Sequence, residues 1–171
     1  MAGGLRIGHG YDAHRLVAGQ GRKLVLGGEE ISFKELGRTF GLDGHSDADV
    51  LTHAVMDALL GALALGDIGR HFPPGDPAFK DARSIKLLEQ VAGMIGERGY
   101  CLVNLDATVI AEKPKLAGYI PNIRENLAGA LGVPAGQVSV KATTEEGMGF
   151  TGRMEGIAAH CVVLIQKKTE D

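Results

Sequence analysis

Between Asp49 and Leu65 apolar side chains recur at Val50, Leu51, Ala54, Val55, Ala58, Leu59, Ala62 and Leu63, the period of a helix with one buried stripe. The spacing predicts a helix over 49–65 that ends near Gly66. The face left over carries Asp49, His53 and Asp57, four apart and so stacked along one ridge. Ser46 and Asp47 just ahead read as caps for its start, and His45 stands at a helix entrance, where anions are bound. A second helical period runs from Asp81 to Arg98, with Ile85, Leu88, Val91, Ala92 and Ile95 inward and Gly99 as its stop. A third covers Ile120 to Leu131 and breaks at Gly132-Val133-Pro134.

The remaining apolar runs predict strands. Leu5 to Leu16 alternates loosely around Gly8 and Gly10, and the two-residue repeat of a strand puts Asp12 and His14 on one face; His9 is taken as structural. Arg22 to Leu26, Gly27-Gly28 and Glu29 to Ser32 predict a hairpin, and Lys34 to Phe40 a connecting loop. Tyr100 to Ala111 has the composition of a central strand, Val138 to Ala142 predicts another, and Gly156 to Gln166 a buried one before a polar tail over 167–171. His71-Phe72-Pro73-Pro74-Gly75-Asp76-Pro77 cannot continue a helix, and is expected to be a loop of the kind that acts as a lid. The sequence carries no repeat, low-complexity tract or linker.

Composition narrows the class. The chain has 171 residues, 44% hydrophobic and 23% charged, which predicts one globular domain over 1–171. The formal charge of -3, with no basic block, disfavours nucleic acid as a partner. No apolar run reaches membrane-spanning length, and MAGGLRIGHG lacks the layout of a signal peptide, so a soluble cytoplasmic protein is expected. Cys101 and Cys161 lie far apart with no C-x-x-C, and are expected to be buried reduced thiols. With 26 glycines and only 5% aromatics, backbone loops rather than stacking rings are expected to shape any pocket, which suits phosphate groups.

Asp12 and His14 from the strand, with His53 from the helix, supply three ligands, the number a catalytic zinc site uses while keeping one position open. Asp49 and Asp57 are candidates for holding an imidazole through its other nitrogen. The alternative is three unrelated surface residues on a solvated helix face. Lys141 to Arg153 combines adjacent threonines, three glycines, an acid pair and a terminal arginine; donors in such a loop hold phosphate oxygens, and a carboxylate can hold a hard divalent ion between them. A glycine-rich turn accounts for it equally well. Because G-x-x-x-x-G-K-[ST] is missing, this is not a P-loop. Lys115 reaches either a phosphate or solvent.

Taken together, RIGHGYDAH, GHSDADVLTHAVMDALLGALALGDIG, AEKPKL, KATTEEGMGFTGR and EGIA resemble the 2-C-methyl-D-erythritol 2,4-cyclodiphosphate synthase family, across Leu5 to Ile165. The resemblance implies a homotrimer of α+β subunits with active sites between neighbours. Each subunit is a two-layer sandwich of a mostly four-stranded mixed sheet with helices on one face, plus a small N-terminal hairpin. It implies zinc on Asp12, His14 and His53, and a second ion, magnesium or manganese, on the substrate diphosphate near Glu146. His45 and Ser46 match the methylerythritol-phosphate contacts, Asp67, Ile68 and Gly69 the turn on its hydroxyls, and Phe72 and Asp76 belong to the same substrate side. Asp12 and His14 are counted among the substrate contacts too. Ala111, Lys115, Leu116, Ala117, Ala142, Thr143 and Thr144 match the cytidine-diphosphate pocket, with Lys115 on phosphate. His45 and Thr144 are the implied catalytic positions, stabilising the transition state. Phe150 and Arg153 resemble the lining of a cavity on the trimer axis that takes an isoprenoid diphosphate. The implied reaction converts 4-diphosphocytidyl-2-C-methyl-D-erythritol 2-phosphate to the cyclic diphosphate with release of CMP, a phosphorus-oxygen lyase step of non-mevalonate isoprenoid synthesis. Two other classes fit the same residues: a metal-dependent nucleotide phosphohydrolase, and a non-catalytic trimeric protein binding zinc or isoprenoid diphosphate. Pro74, Met148 and Met154 depart from the family's usual acid, leucine and glycine.

Overall fold

The computed structural model describes residues 4–19, 21–35, 37–73, 75–79 and 82–169. In chain order the strands are β1 (Leu5–Ala18), β2 (Leu24–Leu26), β3 (Glu29–Ile31), β4 (Lys34–Glu35), β5 (Arg38–Leu42), β6 (Tyr100–Ile110), β7 (Val138–Thr143) and β8 (Gly156–Lys167). The helices are α1 (Val50–Ala62), α2 (Ile68–His71), α3 (Ser84–Glu97), α4 (Ile120–Leu131) and α5 (Gly149–Gly152), with short 3-10 turns at Pro77–Phe79 and Ala135–Gln137. One sheet runs β4-β5-β1-β8-β6-β7, and β2 with β3 forms the separate hairpin expected from Gly27-Gly28. Every pair is antiparallel except β6 with β7. That parallel pair needs a crossover, and α4 lies in it.

The expected four-stranded sheet is therefore larger. Its central strands β1, β8, β6 and β7 match, but Lys34 to Phe40, expected to be a loop, contributes β4 and the start of β5. The segment has no apolar alternation to betray it. Lys34 and Glu35 pair back on Thr39 and Arg38, and β5 then joins the far end of β1, where Leu16, Val17 and Ala18 oppose Leu42, Gly41 and Phe40. Phe40 then stacks on Phe33, with ring centroids 4.9 Å apart.

Helix α1 occupies the middle of the molecule. It is shorter than the 49–65 expected, and of its residues all but Asp57 and Gly61 are buried, so its polar ridge faces protein rather than solvent. Alternation along β1 sends Gly8 and Gly10 toward α1 and leaves Ile7 72% and Tyr11 46% exposed on the opposite face. These two glycines permit an unusually close approach. A Cβ on Gly8 would stand 1.9 Å from the Ala58 carbonyl oxygen, and one on Gly10 2.0 Å from that of Ala54, closer than any carbon can come to backbone. What reads in sequence as a loosened strand is a contact seam, glycines on the strand against alanines four apart on the helix.

Other boundaries moved less. Helix α3 begins at Ser84; Asp81, its expected start, and Pro74 lie outside the described residues. Helix α4 occupies the expected range. The acidic turn after α1 becomes the single-turn helix α2, which Asp67 caps by accepting from Arg70 N at 3.0 Å. Cys161 is buried, and burial pushes its thiol up to about 12. Cys101 is only half-buried, so the expectation for it holds in part.

Candidate active site

Asp12 and His14 share the α1-facing side of β1, and the close approach at Gly8 and Gly10 carries His53 on α1 up to them. Asp12 Oδ2 lies 2.9 Å from His53 Nδ1 and 3.0 Å from His14 Nε2, and His14 Nε2 lies 3.1 Å from His53 Nδ1. Three ligand atoms thus form a nearly equilateral triangle, close to the spacing of about 3.3 Å between ligands of a tetrahedral zinc ion. Among the described residues this is the one group of three or more such side chains gathered closely enough to hold a metal.

The donor set fits a cation. His14 Nδ1 lies 2.7 Å from the Asp43 carbonyl oxygen, which only accepts, so Nδ1 carries a proton. His53 Nε2 lies 2.9 Å from Ser84 Oγ, which gives its own proton to Asp47 Oδ1 at 2.5 Å; Nε2 must therefore donate. In neutral imidazoles both remaining nitrogens then face the Asp12 carboxylate as lone pairs. Three acceptors in contact without a proton require a positive charge between them. A metal ion or a proton can fill this role. Burial opposes the charge on each group, but hydrogen bonds and charge outweigh it: those from His14 and His53 hold Asp12 well below its ordinary range, and Asp12 raises His14 above its own.

Sequence reasoning placed these three residues and missed what orients them. Asp49, proposed to hold an imidazole, is fully buried and does other work. It caps α1 through Thr52 N at 3.0 Å and clamps the hairpin turn through Gly27 N at 2.9 Å and Gly28 N at 2.7 Å. Asp57, raised by burial, accepts from Ile68 N at 2.8 Å and so fixes the turn before α2. Asp47 is not the cap of α1; its carboxylate sits at the start of α3, accepting from Ser84 N at 3.0 Å. The holders of the two imidazoles are the Asp43 carbonyl and Ser84. A backbone carbonyl leaves no signal in sequence, and Ser84 lay inside a range already explained as helix.

A cavity of about 250 Å³ opens from the triad, lined by Asp12, His14, His45, Ser46, His53, Ile68, Gly69 and Phe72 among others. Of the residues implied for this side of the substrate, Asp67 turns its carboxylate to the α2 cap, and Asp76 lies exposed beyond Phe72. A separate cavity of about 300 Å³ is lined by Ala111, Lys115, Leu116, Ala117, Ala142, Thr143 and Thr144, together with Glu112, Pro114 and Ile120. The two cavities share no residue. Thr144 Oγ1 donates to Glu146 Oε1 at 2.9 Å, and Glu146 is exposed in the left-handed region at φ 51°. The neighbouring acid is structural: Glu145 accepts from Thr151 of α5. Phe150 is exposed, and Arg153 pairs with Glu155 at 2.8 Å. Met154, where the resemblance implies glycine, takes a left-handed φ of 58°.

Residues 5–166 match the model of the YgbB family. A 2-C-methyl-D-erythritol 2,4-cyclodiphosphate synthase from Trichlorobacter lovleyi is 61% identical over 161 residues, covering 94% of this chain and 98% of the relative. One of the same name from Gloeobacter violaceus is 57% identical over 163 residues, covering 95% and 96%. Among solved structures, the bifunctional IspDF from Campylobacter jejuni matches with a TM-score of 0.87 at 40% identity, over 95% of this chain and 42% of that one. The CDP complex of IspF from Plasmodium falciparum matches with a TM-score of 0.83 at 32% identity, over 99% and 100%. With the family model spanning nearly the whole chain and relatives well above half identical, this protein belongs to the YgbB family.

Proposed function

We propose that this protein is a 2-C-methyl-D-erythritol 2,4-cyclodiphosphate synthase of the non-mevalonate isoprenoid route. The observation that carries this reading is the triad of Asp12, His14 and His53, three mutually facing acceptors at the mouth of a cavity whose rim holds His45, Ser46, Ile68 and Gly69. In the reaction, an oxygen of the substrate's 2-phosphate forms a bond to the β-phosphorus, and the bond from that phosphorus to the bridging oxygen breaks. CMP leaves with the bridging oxygen, and water takes no part.

The attacking oxygen is already anionic, so no side chain need act as nucleophile. The protein's task is to fold the substrate back on itself and to offset charge where it gathers. A zinc ion held by Asp12, His14 and His53, with magnesium or manganese near Glu146, supplies Lewis-acid neutralisation of the diphosphate. His45 and Ser46 hold the 2-phosphate end, and the Asp67 to Gly69 turn, braced by Asp57, meets the hydroxyls. Ala111 to Ala117 with Ala142 to Thr144 hold the cytidine end, Lys115 reaches a phosphate, and Thr144 with His45 stabilises the transition state. The two cavities of one chain share no lining residue; in this reading, as the family resemblance implies, one substrate spans cavities of neighbouring subunits in a homotrimer. Phe150 and Arg153 would line its axis, where an isoprenoid diphosphate binds. In this reading the enzyme is a cytoplasmic lyase.

Incubation with 4-diphosphocytidyl-2-C-methyl-D-erythritol 2-phosphate and divalent ions, with products separated by mass, tests this. Cyclic diphosphate and CMP in equal amounts are expected. CMP with an uncyclised bisphosphate would make the protein a hydrolase, and unchanged substrate would leave a binding protein.

A further inference from the structure

Ser84 is fully buried at the first position of α3, and Asp47 reaches it from the loop ahead of α1. The contacts run in one direction. His53 Nε2 stands 2.9 Å from Ser84 Oγ, Ser84 Oγ stands 2.5 Å from Asp47 Oδ1, and Ser84 N donates to Asp47 Oδ2 at 3.0 Å. A hydroxyl has one proton and can serve either neighbour. Paired with a histidine alone, it could donate to Nε2, which would leave the imidazole proton on Nδ1, among the metal-facing atoms. The Asp47 carboxylate removes that choice. It takes the hydroxyl proton, turns the oxygen lone pair toward His53 and holds the imidazole proton on Nε2.

The same carboxylate does a second job. Arg83, the residue preceding α3, makes no side-chain cap bond, and Asp47 supplies the missing acceptor to Ser84 N. Asp47 N in turn lies 3.3 Å from the Ala82 carbonyl oxygen, to which it donates. The loop bearing His45 and Ser46, the start of α3 and the His53 ring are thereby held at one point.

We propose that Ser84 and Asp47 are positioning residues that fix the tautomer of His53 and through it set the affinity of the site for a divalent metal. The proposal rests on the reading of Asp12, His14 and His53 as metal ligands. Metal-orienting partners of this kind are worth about 10- to 100-fold in affinity. The test has two readouts. Long-range ¹H–¹⁵N correlation spectra of the histidine rings in the metal-free protein report the tautomer directly. Competition against a chromophoric chelator reports zinc affinity.

The expected result is a proton on His53 Nε2 in the unsubstituted protein, moved wholly or partly to Nδ1 in Ser84→Ala, with zinc held about 10- to 100-fold more weakly. Asp47→Asn, which keeps an oxygen to accept the hydroxyl but loses the charge, is expected to fall between. Ser84→Ala that keeps the proton on Nε2, or binds zinc as tightly as the unsubstituted protein, would overturn the proposal. His53→Ala separates this from the underlying reading: full zinc in that variant removes the metal site itself, whereas the tautomer measurement needs no metal.

Discussion

At the scale of single residues, the site is a problem in proton accounting. Asp12, His14 and His53 present three acceptors to one point; burial lowers the His14 pKa, but hydrogen bonding and charge from Asp12 outweigh it and raise it above the ordinary histidine value, favouring a proton there when no metal is bound. The sign follows. Below the ordinary value for histidine this proton stabilises the metal-free fold, and the contribution is lost as pH rises through the raised value. A metal must displace that proton, so zinc affinity is expected to fall as pH is lowered through the raised value, with close to one proton released per ion bound. Calorimetry in buffers of different ionisation enthalpy measures that release; zero protons at a pH below the raised value would contradict it. The three candidate ligands were legible in sequence because the strand repeat puts Asp12 and His14 on one face, the helical period picks out His53 as a third, and the family resemblance joins them. Their orienting partners were not. Asp43 acts through its carbonyl, and Ser84 and Asp47 meet only because the start of α3 folds against the loop before α1.

At the scale of elements, the decisive contact is β1 against α1. His53 reaches Asp12 because Gly8 and Gly10 give α1 room that no side chain would leave. Gly10→Ala would put a methyl group 2.0 Å from the Ala54 carbonyl, and since that atom is backbone, strand and helix must part. The expected cost is about 3 kcal/mol of stability, together with weaker zinc binding as His53 recedes. Denaturant unfolding and a metal titration on the same variant measure both; an unchanged midpoint would contradict the seam. Periodicity found α1, α3, α4 and the four central strands, because each buries a regular stripe. It missed β4, β5 and α2 for one reason. Lys34 to Phe40 forms a short hairpin, Lys34 and Glu35 opposite Thr39 and Arg38, whose second strand joins β1 at Phe40, and Ile68 to His71 is fixed by the carboxylates of Asp57 and Asp67, neither of which shows as an apolar stripe. The alternative of a solvated helix face falls away for Asp49 and His53, since both are buried.

At the scale of the whole molecule, α1 packs on the side of the sheet that carries Gly8 and Gly10 of β1. Leu5, Ile7, Tyr11 and Val162 remain between 41% and 72% exposed. The proposed division of the active site between subunits has a direct consequence: with His53 assigned to the metal half and Lys115 to the nucleotide half, His53→Ala and Lys115→Ala variants refolded together are expected to regain activity that neither has fully alone. Activity in the mixture no higher than the mean of the two would place both halves in one chain. The central claim is that phosphate, and not water, displaces CMP. Turnover of 4-diphosphocytidyl-2-C-methyl-D-erythritol 2-phosphate in ¹⁸O-enriched water tests it most directly. The account predicts CMP and the cyclic diphosphate free of ¹⁸O; label in CMP or in an uncyclised bisphosphate would contradict it.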